Sequence, residues 1–201
     1  MPVHEVITFT PSDAFIADPV STFQNAREFL SKVEGCLSIY GGLAEEEKTA
    51  YGVITWETFE HHQAVTQLDG YPGIIGLAPI FGEGDRKLYH VDFNESPDAP
   101  IGMKVTEVLT MTLKEGKTKE ELAEVLSVLA PKITAEEGCT KPLAWGETRE
   151  EPGKTFFLLL GWESSKRHYE VVGQSSYETP IANLFAVVDI KMHHAAFKKI
   201  L

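Results

Sequence analysis

The sequence predicts an α+β fold made of two similar units in tandem, on three observations. First, an apolar run ending in Trp-Glu occurs twice, as residues 51–57 and again as residues 157–163. Second, the flanking segments match in the same order, with offsets of 102 for Glu5/Glu107, 103 for Gly35/Gly138 and 106 for Trp56/Trp162. A histidine six residues past each tryptophan, His62 and His168, repeats as well. Third, apolar residues recur at two-residue spacing in some segments and at helical spacing in others, so strands and helices alternate along each half. The period is too long for a solenoid repeat, which points to a duplicated unit of about 95 residues.

Residues 3–10 alternate, with Ile7 and Phe9 on one side and His4, Val6 and Thr8 on the other, the pattern of a strand. The same parity in the second half sets Leu109 and Met111 against Thr106, Val108 and Thr110. The greasy face predicts packing on helices. The mixed face predicts surroundings that tolerate polar groups.

Asp18-Pro19 supplies an N-cap with proline at the first helical position, and Phe23, Ala26, Phe29, Leu30 and Val33 follow at helical spacing up to Gly35. In the second half Thr118 with Glu121 has the spacing of a capping box. Leu122, Val125, Leu126, Leu129 and Ile133 form its apolar stripe, Pro131 predicts a late kink, and Gly138 stands where Gly35 stood. After each Gly-Cys comes a short strand (37–40 and 143–145), an acidic turn, and then the Trp-Glu strand, which together read as a hairpin. Short helices over 59–67 and 164–172 and closing strands over 88–93 and 185–190 complete the units. The order strand, helix, strand, strand, helix, strand is ferredoxin-like. It assigns residues 1–95 to a first repeat, 96–103 to a Pro-containing linker and 104–201 to a second repeat.

Bulk properties exclude several classes of function. A net charge of −12 repels nucleic acid and anionic membrane, and no basic patch is segregated to overcome it. No apolar run approaches the roughly 20 residues that span a bilayer, and the N-terminus lacks a basic region followed by an apolar one, so a cytoplasmic protein is expected. Cys36 and Cys139 occupy the same place in both halves and read as a small buried side chain needed twice, not as a disulfide pair. The phosphate-binding glycine motifs and the G-x-S-x-G elbow are missing, and the glycines at 82 and 84 read as a turn. Adjacent histidines, His61-His62 and His193-His194, would point about 100° apart on a helix, so no metal site is expected.

The element order, the opening His4-Glu5-Val6-Ile7, Trp56-Glu57-Thr58 with His62, and Val91-Asp92-Phe93 together resemble the dimeric α+β barrel superfamily. That superfamily includes antibiotic-biosynthesis-monooxygenase-like and stress-responsive barrel proteins. The resemblance implies two antiparallel sheets packed face to face as an intramolecular α+β barrel, with the mixed strand faces inside. The two-repeat chain would then be a monomer or a homodimer. A hydrophobic small-molecule ligand and no bound organic cofactor are implied; some relatives hold haem through one histidine, which leaves little trace in a sequence, so haem stays open.

Candidate site residues come from differences between the halves. His4 faces Thr106, His90 faces Val187, and Tyr40 faces residues 143–145. Aligning Asp92 with Asp189 leaves an insertion, residues 68–81, which is apolar and rich in glycine and proline; it reads equally as a pocket lid or as an ordinary packed loop. His62, His168, Trp56, Trp162, Asp92 and Asp189 recur in both halves and read as packing or capping residues. A polyketide-cyclising member of the family opens its first strand similarly with a pocket histidine, which makes His4 the candidate general acid or base, with His90 and Tyr71 as partners. Val6, Thr8, Tyr40, Thr106, Val108 and Thr110 are the expected substrate contacts. The expected function is acid/base chemistry (cyclisation, isomerisation or monooxygenation) on an aromatic or polyketide-like molecule in the barrel cavity. The alternative is a non-catalytic ligand-binding or stress-associated barrel.

Overall fold

The computed structural model describes residues 2–201. Its strands are β1 (Val3–Pro11), β2 (Cys36–Ala44), β3 (Ala50–Trp56), β4 (Phe81–Phe93), β5 (Val105–Leu113), β6 (Ala144–Thr148), β7 (Thr155–Trp162) and β8 (Val188–Lys199). The helices are α1 (Asp13–Ala17), α2 (Pro19–Thr22), α3 (Gln24–Leu30), α4 (Phe59–Thr66), α5 (Asp98–Ile101), α6 (Lys119–Ile133), α7 (Ser165–Val172) and α8 (Ser175–Val187). The strands hydrogen-bond in the order β1-β3-β2-β8-β5-β7-β6-β4, a closed antiparallel barrel. Two units are distinguished, one running to Asp92 and joined by Ala195–Leu201, the other Phe93–His194. The last residues cluster with the first unit, unlike the expected boundary, because the end of β8 pairs with β2 from Tyr40↔Lys199 to Ala44↔Ala195. The expected linker contains the short helix α5.

In the first unit β1 lies between β3 and β4. Glu5 sits opposite Ile54 on one side and opposite His90 on the other. Val3, Ile7 and Phe9 face a helix-side core with Phe15, Phe23 and Leu30, as the alternation predicts. The expected single first helix is two short ones, α2 and α3, and α1 precedes them. Asp18 caps α2, with Pro19 at its first position, as read from the sequence.

In the second unit Leu109 and Met111 pack with Leu122, Leu126, Leu129 and Ile133 of α6. The Thr118–Glu121 capping box is present in full, and the helix runs through Pro131 to Ile133. The expected closing strand at 185–190 is a correction. Residues 175–187 form α8, and the strand begins only at Val188, running to Lys199.

This correction removes the apparent insertion, because the closing strands align through His90 and His194 and not through Asp92 and Asp189. His62 to His90 then spans 28 residues and His168 to His194 spans 26. What differs is conformation. Residues 68–81 hold Gly70, Gly73 and Gly76 with Pro72 and Pro79, which disfavour a continuous helix, and they form two 3-10 turns at Gly73–Ile75 and Ala78–Ile80. The second unit has no glycine between Ser175 and Val187, and α8 forms there.

Both cysteines are free and half-buried. Among the described residues no helix is long and apolar enough to cross a membrane.

Candidate active site

Glu5 has the parity of Val3, Ile7 and Phe9, so it points to the helix side of β1, where its side chain is buried. An ionised carboxylate there costs several kcal/mol unless it is paired. Trp56 at the end of β3 donates Nε1–H to Glu5 Oε2 at 3.0 Å. Thr58 then caps α4 by accepting the backbone N–H of His61. The first turn of that helix carries His62 inward, its ring 5.2 Å from the Trp56 ring. His62 Nε2 lies 3.6 Å from Glu5 Oε2, and His62 Nδ1 lies 2.7 Å from His90 Nε2.

Chemistry decides which nitrogens carry protons. A carboxylate that accepts from Trp56 favours the tautomer with the His62 proton on Nε2, facing Glu5. His62 Nδ1 then accepts, and His90 Nε2–H donates to it. The result is a buried chain, Trp56–Glu5–His62–His90, in which the donors are directed toward the carboxylate.

The second unit builds the same chain. Trp162 Nε1–H donates to Glu107 Oε2 at 2.9 Å, His168 Nε2 lies 3.5 Å from that oxygen, and His168 Nδ1 lies 2.7 Å from His194 Nε2. Glu107 is 6% exposed, His168 3% and His194 0%. Each backbone turn before the Trp-Glu pair is held by a carbonyl that accepts from the glutamate's own N–H, Gly35 O from Glu57 and Gly138 O from Glu163. The charged carboxylates are felt nearby. The Cys36 thiol is pushed up to about 12, chiefly by burial and further by Glu5. Cys139 is likewise pushed up to about 12, by burial and then by Glu107.

A cavity opens against each carboxylate. In the second unit it measures about 270 Å³ and lies between the sheet face and α6, α7 and α8. Glu107, His168 and Tyr169 line it among residues such as Leu129, Leu160 and Leu184. In the first unit it measures about 250 Å³, and residues 71–81 wall it in place of a helix. Glu5, Tyr71, Arg86 and Lys87 line it, with the Arg86 guanidinium 4.0 Å above the Phe81 ring. The Tyr71 phenol is raised, first by burial and then by the Glu5 charge. Much of the 68–81 segment, from Tyr71 onward, thus forms part of a cavity wall.

The structure brings two of the three expected catalytic residues to one place, since Tyr71 lines the cavity that Glu5 lines and His90 joins Glu5 through His62. His4 is elsewhere. It points to the opposite face of β1, where it is buried with Nδ1 3.1 Å from Thr55 Oγ1. Val6 and Val108 are buried and Thr8, Tyr40 and Thr110 half-buried, and the buried Thr106 hydroxyl donates to Pro100 O at 3.0 Å. None of these six expected substrate contacts lines either cavity. Parity separated the faces correctly, but the ionisable cluster lies on the helix side and not on the mixed side.

Three further expectations are corrected. His90 is matched not by Val187 but by a titratable residue of the second half, His194, and Glu107 and His193 are buried strand residues there as well. His62 and His168 do more than pack or cap, since each links a carboxylate to a second histidine while Thr58 and Ser164 do the capping. Trp56 and Trp162 serve the same carboxylates as donors. The missed signal was available: His90 and His194 are offset by 104, in line with the other matches. Metal-ligating groups also converge from separate elements and not from adjacent histidines, for one ligand atom from each of Glu5, His62 and His90 lies within 4.8 Å of the other two.

No family model matches the chain. No curated protein matches it either. Solved structures do. An anthrone oxidase-like protein superposes with a TM-score of 0.69 at 14% identity, covering 99% of this chain and 93% of its own. A candidate monooxygenase from Fusobacterium nucleatum gives 0.68 at 16%, covering 98% and 93%. Another from Lactobacillus acidophilus gives 0.63 at 10%, covering 98% and 95%. At such identities the likeness is one of fold, and this chain shares the fold of these proteins.

Proposed function

We propose that the chain is an enzyme that oxygenates a hydrophobic, electron-rich small molecule of the aromatic or polyketide-like class, without a bound organic cofactor, in the cavity of the second unit. The observation that carries this reading is an apolar cavity whose wall includes the carboxylate and imidazole of one buried pair, Glu107 and His168. Its volume is close to the lower end of the roughly 300–1,000 Å³ typical of ligand sites. Both described contacts of Glu107 fall on Oε2, leaving Oε1 as the acceptor for a ligand. His194, hydrogen-bonded behind His168, and Trp162 are positioning residues, and they favour one tautomer and one carboxylate orientation.

The chemistry follows from that arrangement. A methylene flanked by conjugated rings or carbonyls loses a proton to the Glu107–His168 pair, and the electron-rich carbanion then reduces dioxygen. In the net step two C–H bonds break and one C=O forms. One oxygen atom is retained and the other leaves as water, so that the four electrons lost by carbon are those gained by dioxygen. Apolar walls exclude water from the carbanion. The monooxygenase-like fold, with an anthrone oxidase-like neighbour among the superposed structures, supports this choice over cyclisation or isomerisation. We infer further that the matching Trp–Glu–His–His chains arose by tandem duplication.

Oxygen uptake and product analysis with a panel of anthrones and related phenols test the reading. Turnover by the native chain, lowered about 10²-fold or more in Glu107→Gln and His168→Gln, is the expected result. Binding without oxygen uptake would establish the non-catalytic alternative, and neither binding nor uptake would overturn both.

A further inference from the structure

We propose that Glu5, His62 and His90 of the first unit form a binding site for one divalent transition-metal ion of the zinc, cobalt or ferrous class. The proposal is independent of the oxygenation assigned to the second unit. Three different elements deliver the ligands: β1 supplies Glu5, α4 His62 and β4 His90. One ligand atom from each lies within 4.8 Å of the other two. Glu5 and His90 are direct partners in the β1–β4 register, so the sheet fixes their spacing. All three are buried, with relative exposures of 4%, 4% and 6%, so the set is preorganised.

The donor types choose the metal class. Two imidazoles and a carboxylate suit zinc, cobalt and ferrous iron, whereas calcium and magnesium prefer an all-oxygen shell. An ion held by two histidines and one carboxylate keeps a coordination position open. Here that position has an outlet, because Glu5 also lines the 250 Å³ cavity. The Trp56 Nε1–H bond to Glu5 Oε2 is the kind of outer contact that orients a ligating carboxylate.

The competing state is the His62–His90 hydrogen bond of 2.7 Å. Two nitrogens on one tetrahedral ion, each about 2.0–2.1 Å from it, stand about 3.3 Å apart. The rings therefore separate by roughly 0.6 Å on that geometry, and His90, still neutral, carries its proton on Nδ1 instead of Nε2 once the ion takes its place. The second unit provides an internal control. It holds the same residue types in Glu107, His168 and His194, yet among the described residues the first unit's trio is the one group whose ligand atoms converge this closely.

The test uses the full chain, stripped with a chelator and titrated with Co²⁺ and then Zn²⁺. Expected are one equivalent per chain by elemental analysis and a visible Co²⁺ absorption typical of low coordination number. Affinity should fall about 100-fold or more in Glu5→Gln and His90→Gln and about 10- to 100-fold in Trp56→Phe, with His194→Gln unchanged. Absence of stoichiometric binding by the native chain overturns the site, as does binding retained in His90→Gln or lost equally in His194→Gln. Should the ligand variants not fold, histidine ring resonances of the native chain decide. Shifts with Zn²⁺ at His62 and His90 support the site, and shifts confined to other histidines overturn it.

Discussion

The two units carry the same buried chain under different roofs. From tryptophan to carboxylate, carboxylate to first histidine and first to second histidine, the distances are 3.0, 3.6 and 2.7 Å in one and 2.9, 3.5 and 2.7 Å in the other. Above the carboxylate the first unit lays glycine- and proline-broken 3-10 turns, and its cavity has a rim of Tyr71, Arg86 and Lys87. The second unit lays α8, and its cavity is walled by leucine and isoleucine, with His168 reaching it. Strand register and the six-residue step from tryptophan to histidine set the chain, whereas a connecting segment of nearly equal length sets what each cavity can bind. A chain built twice offers the same chemistry twice only if the roofs agree, and here they do not.

The comparison can be broken most sharply through activity. Glu107→Gln should lower oxygen uptake by about 10²-fold or more, whereas Glu5→Gln should lower it by less than about threefold. The reverse outcome would move the reaction to the first unit. His4→Ala should leave uptake nearly unchanged and cost about 1 kcal/mol of stability through its lost bond to Thr55, as denaturant midpoints would report.

The turns beneath the helices should separate the units in stability. Gly35 and Gly138 have φ of 79° and 82°, where a side chain costs about 1–2 kcal/mol. A Cβ at Gly35 would also stand 2.2 Å from His61 Cγ, against 3.0 Å from Arg167 Cγ at Gly138. Gly35→Ala should therefore lower the melting temperature clearly more than Gly138→Ala. Equal losses would show that His61 yields without cost.

Where the units agree, substitutions should agree. Trp56→Phe and Trp162→Phe each remove one N–H from a buried carboxylate, and each should destabilise by about 1–3 kcal/mol in urea titrations. A difference much beyond 1 kcal/mol would mean that one carboxylate depends on its indole and the other does not.

The smallest effect lies at the exposed helix caps. Hydrogen bonds from the Ser21 side chain and backbone hold Asp18 below its usual range; Glu121 is lowered by the Lys117 ammonium and the Thr118 N–H. A carboxyl depressed in the folded state contributes stability that is fully present above its unfolded pKa and is lost as pH falls through its folded value. Asp18→Asn and Glu121→Gln should each lower stability slightly above about pH 4, the unfolded carboxylate range, and flatten the fall of stability below it, so that variant and native curves converge in acid. Stability curves from pH 5 to pH 2 would check it.

Local physics made much of this protein legible from its residues alone. The Thr118–Glu121 box, the Asp18-Pro19 start, the alternation of β1 and β5 and the hairpins ending in Trp-Glu depend on neighbours within a few positions, and they stand where the sequence put them. The helix face of each first strand was legible too, but the burial of Glu5 and Glu107 on that face was not, since alternation marks a side and not a depth. Only tertiary structure decided the rest. It brought residues 5, 62 and 90 within hydrogen-bonding and ligating range, showed His194 and not Val187 as the match for His90, and turned His4 away from the cavities. Those outcomes depend on cross-strand register and on how a helix docks over a sheet, interactions between groups dozens of residues apart that no local periodicity encodes.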